Sequence, residues 1–107
     1  MGKVEYVESE DDLDIKNFDN FVLDFTASWC GPCKQISPEF DRLSEMKALK
    51  HVKFYKVDVD QAEELCAQFQ VQSMPTFYLI KNKTVVDRVL GADITELVDK
   101  IKKHFLK

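Results

Sequence analysis

The stretch Trp29-Cys30-Gly31-Pro32-Cys33 constrains this chain most, because it places two cysteines three residues apart between two different kinds of segment. The residues before it, 21–27, form a nearly continuous apolar run, which predicts a strand covered on both faces. The residues after it predict a helix from Cys33 to about Leu49. Side chains three apart on a helical turn are neighbours, so these thiols can form and break a disulfide with little backbone movement.

A disulfide across so short a loop removes little entropy from the unfolded chain, so the pair predicts dithiol–disulfide chemistry rather than a structural crosslink. The helix N-terminus favours a thiolate, and we expect Cys30 to be the more exposed, attacking sulfur and Cys33 the covered, resolving one. Pro32 fits the first helical turn, where no N–H is needed, and Gly31 lets a substrate backbone come close. Trp29 provides a flat apolar surface beside the two cysteines.

Asp24 interrupts the apolar run of the predicted strand, and a carboxylate is costly to bury without partners. One interpretation is a buried proton acceptor for Cys33, with its pKa raised by burial. The alternative is an aspartate that turns to solvent or is simply hydrogen-bonded. Lys56, on the next predicted strand, would moderate the pKa of Asp24 if its side chain points inward, and would otherwise be a solvated strand lysine.

The pattern along the chain predicts the order β-α-β-α-β-α-β-β-α in one domain over residues 1–107. The predicted strands cover residues 3–7, 21–27, 52–59, 77–80 and 84–90. The predicted helices begin at Ser9, cover 33–49 with a kink at Pro38, cover 61–69, and extend from Ile94 to Phe105. Strands separated by helices favour parallel pairing, and the last two favour an antiparallel hairpin. We therefore expect an α/β fold with a mixed five-stranded sheet and helices on both faces.

Charge and composition exclude several functional classes. Fifteen basic and nineteen acidic residues give a net charge of −4, which argues against a general nucleic-acid or anionic-membrane surface. No apolar run approaches membrane-spanning length, and the first residues lack the apolar core of a secretory signal. Three cysteines do not make a secreted disulfide scaffold, so we expect a reducing, cytoplasmic compartment.

A Cys-x-x-C pair is also half of a zinc site. Zinc needs four ligands, and beyond the pair the chain offers only Cys66, His51 and His104, with no second pair of ligands. We therefore expect no metal. Cys66 lies on the apolar face of a predicted helix and is interpreted as a small core residue, and the two histidines are interpreted as ordinary surface residues.

The hexapeptide Trp29-Cys30-Gly31-Pro32-Cys33-Lys34 resembles the active-site motif of the thioredoxin family, and the resemblance extends from the first predicted strand to the last helix. The stretches 57–60 and 73–77 are more similar to eukaryotic cytosolic thioredoxins than to bacterial ones. The positions that match the family's other site residues are Asp24 for its buried aspartate, Lys56 for the neighbouring lysine, Met74-Pro75-Thr76 for the cis-proline loop and Gly91 for the glycine beside the substrate surface.

The resemblance implies a thioredoxin fold and a protein disulfide reductase that binds no cofactor and is recharged by NADPH through thioredoxin reductase. It implies a monomer whose partners are that reductase and disulfide-containing clients such as peroxiredoxins or ribonucleotide reductase. It also implies a cis Met74–Pro75 bond and pairing of the Met74 backbone with an extended client segment. The residues implied to frame the client groove are Trp29, Gly31, Pro32, Met74, Pro75, Thr76, Gly91 and Ala92.

Two departures and two alternatives accompany the resemblance. Many mammalian members have a cysteine where this chain has Ser73, so a disulfide dimer through that position is unavailable, and Lys83 stands where the family usually has glycine. An oxidase or isomerase on the same fold usually carries histidine between the cysteines, so Gly31-Pro32 favours a reductant. A binding module that uses the Trp29 and Met74 surface is the alternative from another class.

Overall fold

The five strands form one mixed sheet, with the strand that carries Asp24 at its centre. The computed structural model describes residues 4–106, and within them the spatial order of strands is β1-β3-β2-β4-β5. The strands are β1 (Glu5–Tyr6), β2 (Asn20–Thr26), β3 (Val52–Asp58), β4 (Thr76–Lys81) and β5 (Thr84–Leu90). The helices are α1 (Gly31–Ser44), α2 (Glu63–Gln68) and α3 (Ile94–Phe105). Parallel pairing joins β1, β3 and β2, whereas β4 and β5 are antiparallel to their neighbours.

Alternation along the central strands sends side chains to two separate apolar cores. Phe40 of α1 and Ile101 of α3 pack with Val22 and Phe77 on one face of the sheet. Leu65 of α2 packs with residues of the opposite parity, such as Leu23, on the other face. Helices therefore cover both faces, as predicted. Asp24 has the parity of Val22, which directs its side chain to the face that α1 covers.

Three predicted helices are shorter than expected, and one of them, predicted over 61–69, is α2 at Glu63–Gln68. The segment after Ser9 is a single 3₁₀ turn, Glu10–Asp12. The Asp12 carboxylate accepts hydrogen bonds from the backbone N–H groups of Glu8 and Ser9 at 3.0 and 3.3 Å, and the chain becomes extended at Leu13. The turn buries no side chain, so tertiary packing does not extend it into an α-helix.

The helix that follows the cysteines begins at Gly31 and ends at Ser44, and residues 47–49 form a separate 3₁₀ turn. The prediction of a helix to Leu49 was therefore wrong at its end. The helix continues through Pro38, whose missing N–H removes one backbone hydrogen bond without ending the helix. The predicted first strand is reduced to Glu5–Tyr6, and its first expected residue, Lys3, lies outside the described residues.

The hairpin between β4 and β5 turns through Asn82 and Lys83, as predicted. Both residues have positive φ, 53° and 67°, which is the backbone of a two-residue hairpin turn. The Asn82 N–H donates to the Asp19 carbonyl at 2.8 Å and ties the turn to the start of β2. A side chain at position 83 is thus accommodated in a conformation that favours glycine or asparagine.

Candidate active site

The two cysteines lie at the point where the central strand passes into α1. Cys30 is the N-cap residue of α1 and is joined to Cys33 by a disulfide, with the two Cα atoms 5.3 Å apart. Both residues are buried, with 6 % of Cys30 and 3 % of Cys33 exposed. Burial distinguishes the two residues little, and the expectation that Cys30 carries the more exposed sulfur stays a prediction. Trp29 beside them is 64 % exposed, so its indole ring forms an apolar surface next to the buried disulfide.

The start of α1 supplies a backbone hydrogen-bond donor to the Cys30 sulfur. The backbone N–H of Cys33 donates to Cys30 Sγ at 3.2 Å, and Pro32 occupies the first turn, where its missing N–H breaks no helical hydrogen bond. Unpaired N–H groups and the positive end of the helix dipole both stabilise negative charge at this position. On reduction, these groups favour a thiolate at Cys30.

Asp24 lies on β2 beneath the helix that carries both cysteines. Only 2 % of the residue is exposed, and its Oδ1 atom has no hydrogen-bond partner in the part of the chain that the structure describes. Burial raises the pKa of Asp24 from 3.8 to about 7, although the positive charge of Lys56 lowers it and the negative charge of Asp41 raises it further. The alternative of a solvent-facing aspartate is therefore wrong. A carboxyl group with a pKa near neutrality can accept and release a proton under ordinary conditions.

Lys56 is the register partner of Asp24 on β3, and its side chain points inward. Only 9 % of the residue is exposed, which rules out a solvated strand lysine. Its ammonium donates to Ser37 Oγ at 2.6 Å and pairs with Asp41 Oδ1 at 3.2 Å. Neither Ser37 nor Asp41 was singled out from the sequence. The available signal was spacing, because positions 33, 37 and 41 follow one another at intervals of four along one stripe of α1.

The predicted cis-proline loop lies beside the disulfide. The Met74–Pro75 peptide bond is cis, as the family resemblance implied, and Met74 packs against the apolar cluster that contains both cysteines. The Gly91 N–H donates to the Pro75 carbonyl at 2.8 Å, which joins the start of the last loop to this corner. Thr76 Oγ1 donates to the carbonyl of the preceding loop at 2.6 Å.

The other predicted groove residues surround this corner. Gly31 and Pro32 are exposed at the start of α1, and no atom outside the local chain approaches a Cβ placed at Gly31. Gly91 has φ of 90°, a conformation that favours glycine, and the exposed Ala92 follows it directly. Sequence reasoning missed Asp60, whose Oδ2 accepts from Trp29 Nε1 at 2.9 Å and fixes the indole ring.

The third cysteine and the histidines take no part in this site. Cys66 is half-buried against the apolar core beneath α2, and burial raises the pKa of its thiol. The interpretation of the histidines as ordinary surface residues was incomplete. His51 Nε2 lies 2.9 Å from the Phe105 carbonyl oxygen, and the partly buried His104 lies 2.9 Å from Asp87 Oδ2.

Two kinds of feature are absent from residues 4–106. No three side chains among histidine, cysteine, aspartate and glutamate converge there as a metal site would require. Within the same range, every helix is too short or too polar to cross a bilayer.

Comparison with known proteins places this geometry in a family. The thioredoxin family model matches residues 4–103. A thioredoxin of Malassezia sympodialis is 45 % identical over 83 residues, 78 % of this chain and 79 % of that protein. A crystal structure of a Malassezia sympodialis thioredoxin superposes with a TM-score of 0.87 at 39 % identity, covering 97 % of this chain and 92 % of the other. Thioredoxin H5 of Arabidopsis thaliana is 43 % identical over 83 residues, 78 % of this chain and 69 % of that protein.

One further solved structure, on the thiol resolving mechanism in yeast mitochondrial 1-Cys peroxiredoxin via glutathione and thioredoxin systems, contains a similar chain. Its TM-score is 0.85 at 32 % identity, with 96 % of this chain and 99 % of the other covered. The fold, the Cys-Gly-Pro-Cys disulfide and the sequence matches agree, and they support dithiol–disulfide exchange by an oxidoreductase. The chain belongs to the thioredoxin family.

Proposed function

We propose that this chain reduces disulfides in client proteins, with Cys30 as the attacking thiolate, Cys33 as the resolving thiol and Asp24 as the proton acceptor. The observation that carries the proposal is the position of Cys30 at the N-cap of α1, where its sulfur accepts the Cys33 N–H. That hydrogen bond and the helix dipole favour negative charge on Cys30 over negative charge on Cys33.

In the first step, the Cys30 thiolate attacks one sulfur of the client disulfide. The new Cys30–client bond forms as the client S–S bond breaks, and the departing client thiolate takes a proton from solvent. Trp29 and the exposed first turn of α1 leave this side of the site open to a client. We propose that Met74, Pro75 and Thr76 hold the client segment by backbone pairing, as in strand addition.

In the second step, Cys33 loses its proton to Asp24 and attacks Cys30 Sγ. The Cys30–Cys33 disulfide forms, the mixed disulfide breaks, and the second client thiolate leaves, so the client gains two electrons. Support for Asp24 comes from its burial on the face that α1 covers, from its unpaired Oδ1, and from its pKa of about 7. We assign Lys56 to the same step, since its charge lowers the pKa of Asp24.

Gly31, Pro32, Gly91 and Ala92 complete the proposed client groove. Their small or rigid side chains leave the backbone of two loops accessible beside the cysteines. An extended client segment could then lie against the loop at Pro75, whose carbonyl is already bonded to the Gly91 N–H.

We further propose that the oxidised chain is recycled by thioredoxin reductase with electrons from NADPH, and that it acts as a cytoplasmic monomer of one domain, residues 1–107. The cytoplasmic assignment rests on the small number of cysteines and on the similarity of residues 57–60 and 73–77 to eukaryotic cytosolic thioredoxins. The yeast structure connected with a peroxiredoxin supports peroxiredoxins as one client class, and ribonucleotide reductase is proposed from family resemblance. The chain itself needs no bound cofactor, because both electrons reside in the cysteine pair.

Insulin reduction tests this proposal in two arms. With dithiothreitol as the electron source, the wild-type chain should accelerate precipitation of the reduced insulin B chain, whereas a Cys30→Ser variant should not. With NADPH and thioredoxin reductase, the same reaction should consume NADPH in proportion to the disulfide reduced. Absence of turnover in the first arm would refute the reductase assignment and favour a binding module. Turnover in the first arm alone would refute only the proposed recycling.

A further inference from the structure

The backbone of Lys56 and its charged group lie beside different residues. Its backbone lies directly beside that of Asp24 on the neighbouring strand, and both side chains are directed to the face covered by α1. Yet its ammonium pairs with Asp41 at 3.2 Å and donates to Ser37 at 2.6 Å, while Asp24 Oδ1 remains without a hydrogen-bond partner among the described residues. The cation whose charge acts on the buried carboxylate is thus bound to the helix instead.

We propose that Ser37 and Asp41 are positioning residues, which hold the Lys56 ammonium on α1 and away from Asp24. The proposal rests on the assignment of Asp24 as the proton acceptor for Cys33. Ser37 and Asp41 are four residues apart on α1, so they form one polar stripe that continues from Cys33 toward solvent. The Asp41 side chain is 42 % exposed and that of Lys56 is 11 % exposed, so the ion pair spans the edge of the core.

The consequence for catalysis follows from Coulomb's law. A lysine paired directly with Asp24 would stabilise the carboxylate and make it a weak base toward a thiol. With the ammonium held by Ser37 and Asp41, Asp24 retains more of the effect of burial and remains a stronger base. The negative charge of Asp41 adds to this, because it also disfavours ionisation of Asp24.

The surroundings of Asp24 leave few other groups that could set its titration. Lys56 faces it from β3 and Asp41 acts on it from α1. Its register partner on β4 is the uncharged Phe77, and the cysteines above it form an uncharged disulfide in the oxidised protein. Asp41 and Lys56 are thus the charged groups that act on it.

NMR titration of the Asp24 carboxyl carbon in the oxidised protein tests the proposal without requiring activity. Asp41→Asn should lower the pKa of Asp24 by about half a unit or more, because the ammonium is released toward it. Ser37→Ala should lower it by less, since one hydrogen bond is lost but no charge is removed. Glu39→Gln is the matched control: it removes a carboxylate from the same helix that pairs with the exposed Arg42, and should leave the titration unchanged.

A double-mutant cycle separates positioning from the direct charge of Asp41. In a Lys56→Met background, Asp41→Asn should shift the titration of Asp24 by clearly less than in the wild type. An equal shift in both backgrounds, or no downward shift in Asp41→Asn, would overturn the positioning role of Asp41. An unchanged titration in Ser37→Ala would overturn that of Ser37.

The pH profile of insulin reduction provides the functional readout. Its acidic limb should move to lower pH in Asp41→Asn and stay in place in Glu39→Gln. A wild-type protein without turnover would refute the proposed function but leave the titration experiment intact. If Asp41→Asn turned over normally and the acidic limb of its pH profile lay where it does in the wild type, only the positioning role would be refuted.

Discussion

Replacing Asp24 by asparagine should stabilise the protein above neutral pH, by an amount that the structure allows one to estimate. A pKa raised from 3.8 to about 7 means that the folded protein loses roughly 4 kcal/mol of stability when Asp24 is fully ionised. Between these two pH values the folded state holds a proton that the unfolded state has released. The wild-type stability contributed by this group therefore falls as the pH rises from about 4 to about 7.

Asparagine has nearly the same shape and no charge, so Asp24→Asn removes this pH-dependent penalty. The two proteins should be similar in stability near pH 4, where Asp24 is protonated. The difference in unfolding free energy should then widen by roughly 4 kcal/mol toward pH 8, in favour of the variant. Urea unfolding of both oxidised proteins at pH 4, 5, 6, 7 and 8 measures this difference directly.

Asp99→Asn is the matched control, because Asp99 is an exposed aspartate on α3. Its difference from the wild type should stay flat over the same pH range. A flat difference for Asp24→Asn, or a variant less stable than the wild type at pH 8, would show that Asp24 is held as a structural carboxylate. Burial would then not be what sets the titration of Asp24. The same variant lacks the proton acceptor, so insulin reduction near pH 7 should slow by about tenfold or more.

Three further predictions concern the groove, the core and a surface ion pair. Trp29→Ala should lower kcat/KM for insulin by about tenfold, because it removes an apolar surface of the proposed client groove. The unfolding midpoint should be nearly unchanged, because Trp29 is 64 % exposed; a large loss of stability would contradict this. Phe40→Ala should cost about 3–5 kcal/mol in urea unfolding, because Phe40 is fully buried between α1 and the sheet; a cost under about 1 kcal/mol would refute its central place. Although burial alone would raise it, the pKa of Asp87 is lowered to about 2 by hydrogen bonds from His104, the Arg88 backbone and Lys100. Asp87→Asn should therefore cost about 1 kcal/mol at pH 7, and the cost should shrink as the pH falls from about 4 to about 2, where the wild type loses the same interaction; a cost that does not change with pH would exclude the charge as its cause.

The sequence was informative where a local pattern carried the physics. The apolar run before Cys30 predicted a buried central strand, and Asp24 stood out because it broke that run. The helix after the cysteines and the hairpin at Asn82-Lys83 followed from periodicity and turn chemistry. The cis bond before Pro75 was implied only by family resemblance, since isolated X–Pro bonds are mostly trans.

The sequence was uninformative where contacts between distant segments decide the outcome. Lys56 points inward, where Ser37 and Asp41 of another element receive its ammonium. The spacing of Ser37 and Asp41 indicates a shared stripe on α1, but nothing in the sequence shows that Lys56 meets that stripe. The segment after Ser9 has the start of a helix by composition, but the turn Glu10–Asp12 buries no side chain and the chain is extended at Leu13, so only one 3₁₀ turn forms. Leu13 and Phe18 pack on the apolar core from outside that turn. The near-equal burial of the two cysteines likewise depends on the loop at Met74, which is far from them in sequence.

The assignment of Cys30 as the attacking sulfur and Cys33 as the resolving one is tested most directly by trapping the mixed disulfide. Reduced Cys33→Ser and reduced Cys30→Ser proteins would each be mixed with oxidised insulin, quenched with acid and analysed by intact mass under non-reducing conditions. We expect a covalent adduct to accumulate on Cys33→Ser, because Cys30 attacks and nothing resolves the bond, and only traces on Cys30→Ser. Adduct on Cys30→Ser in place of Cys33→Ser would reverse the two roles and contradict the proposed mechanism.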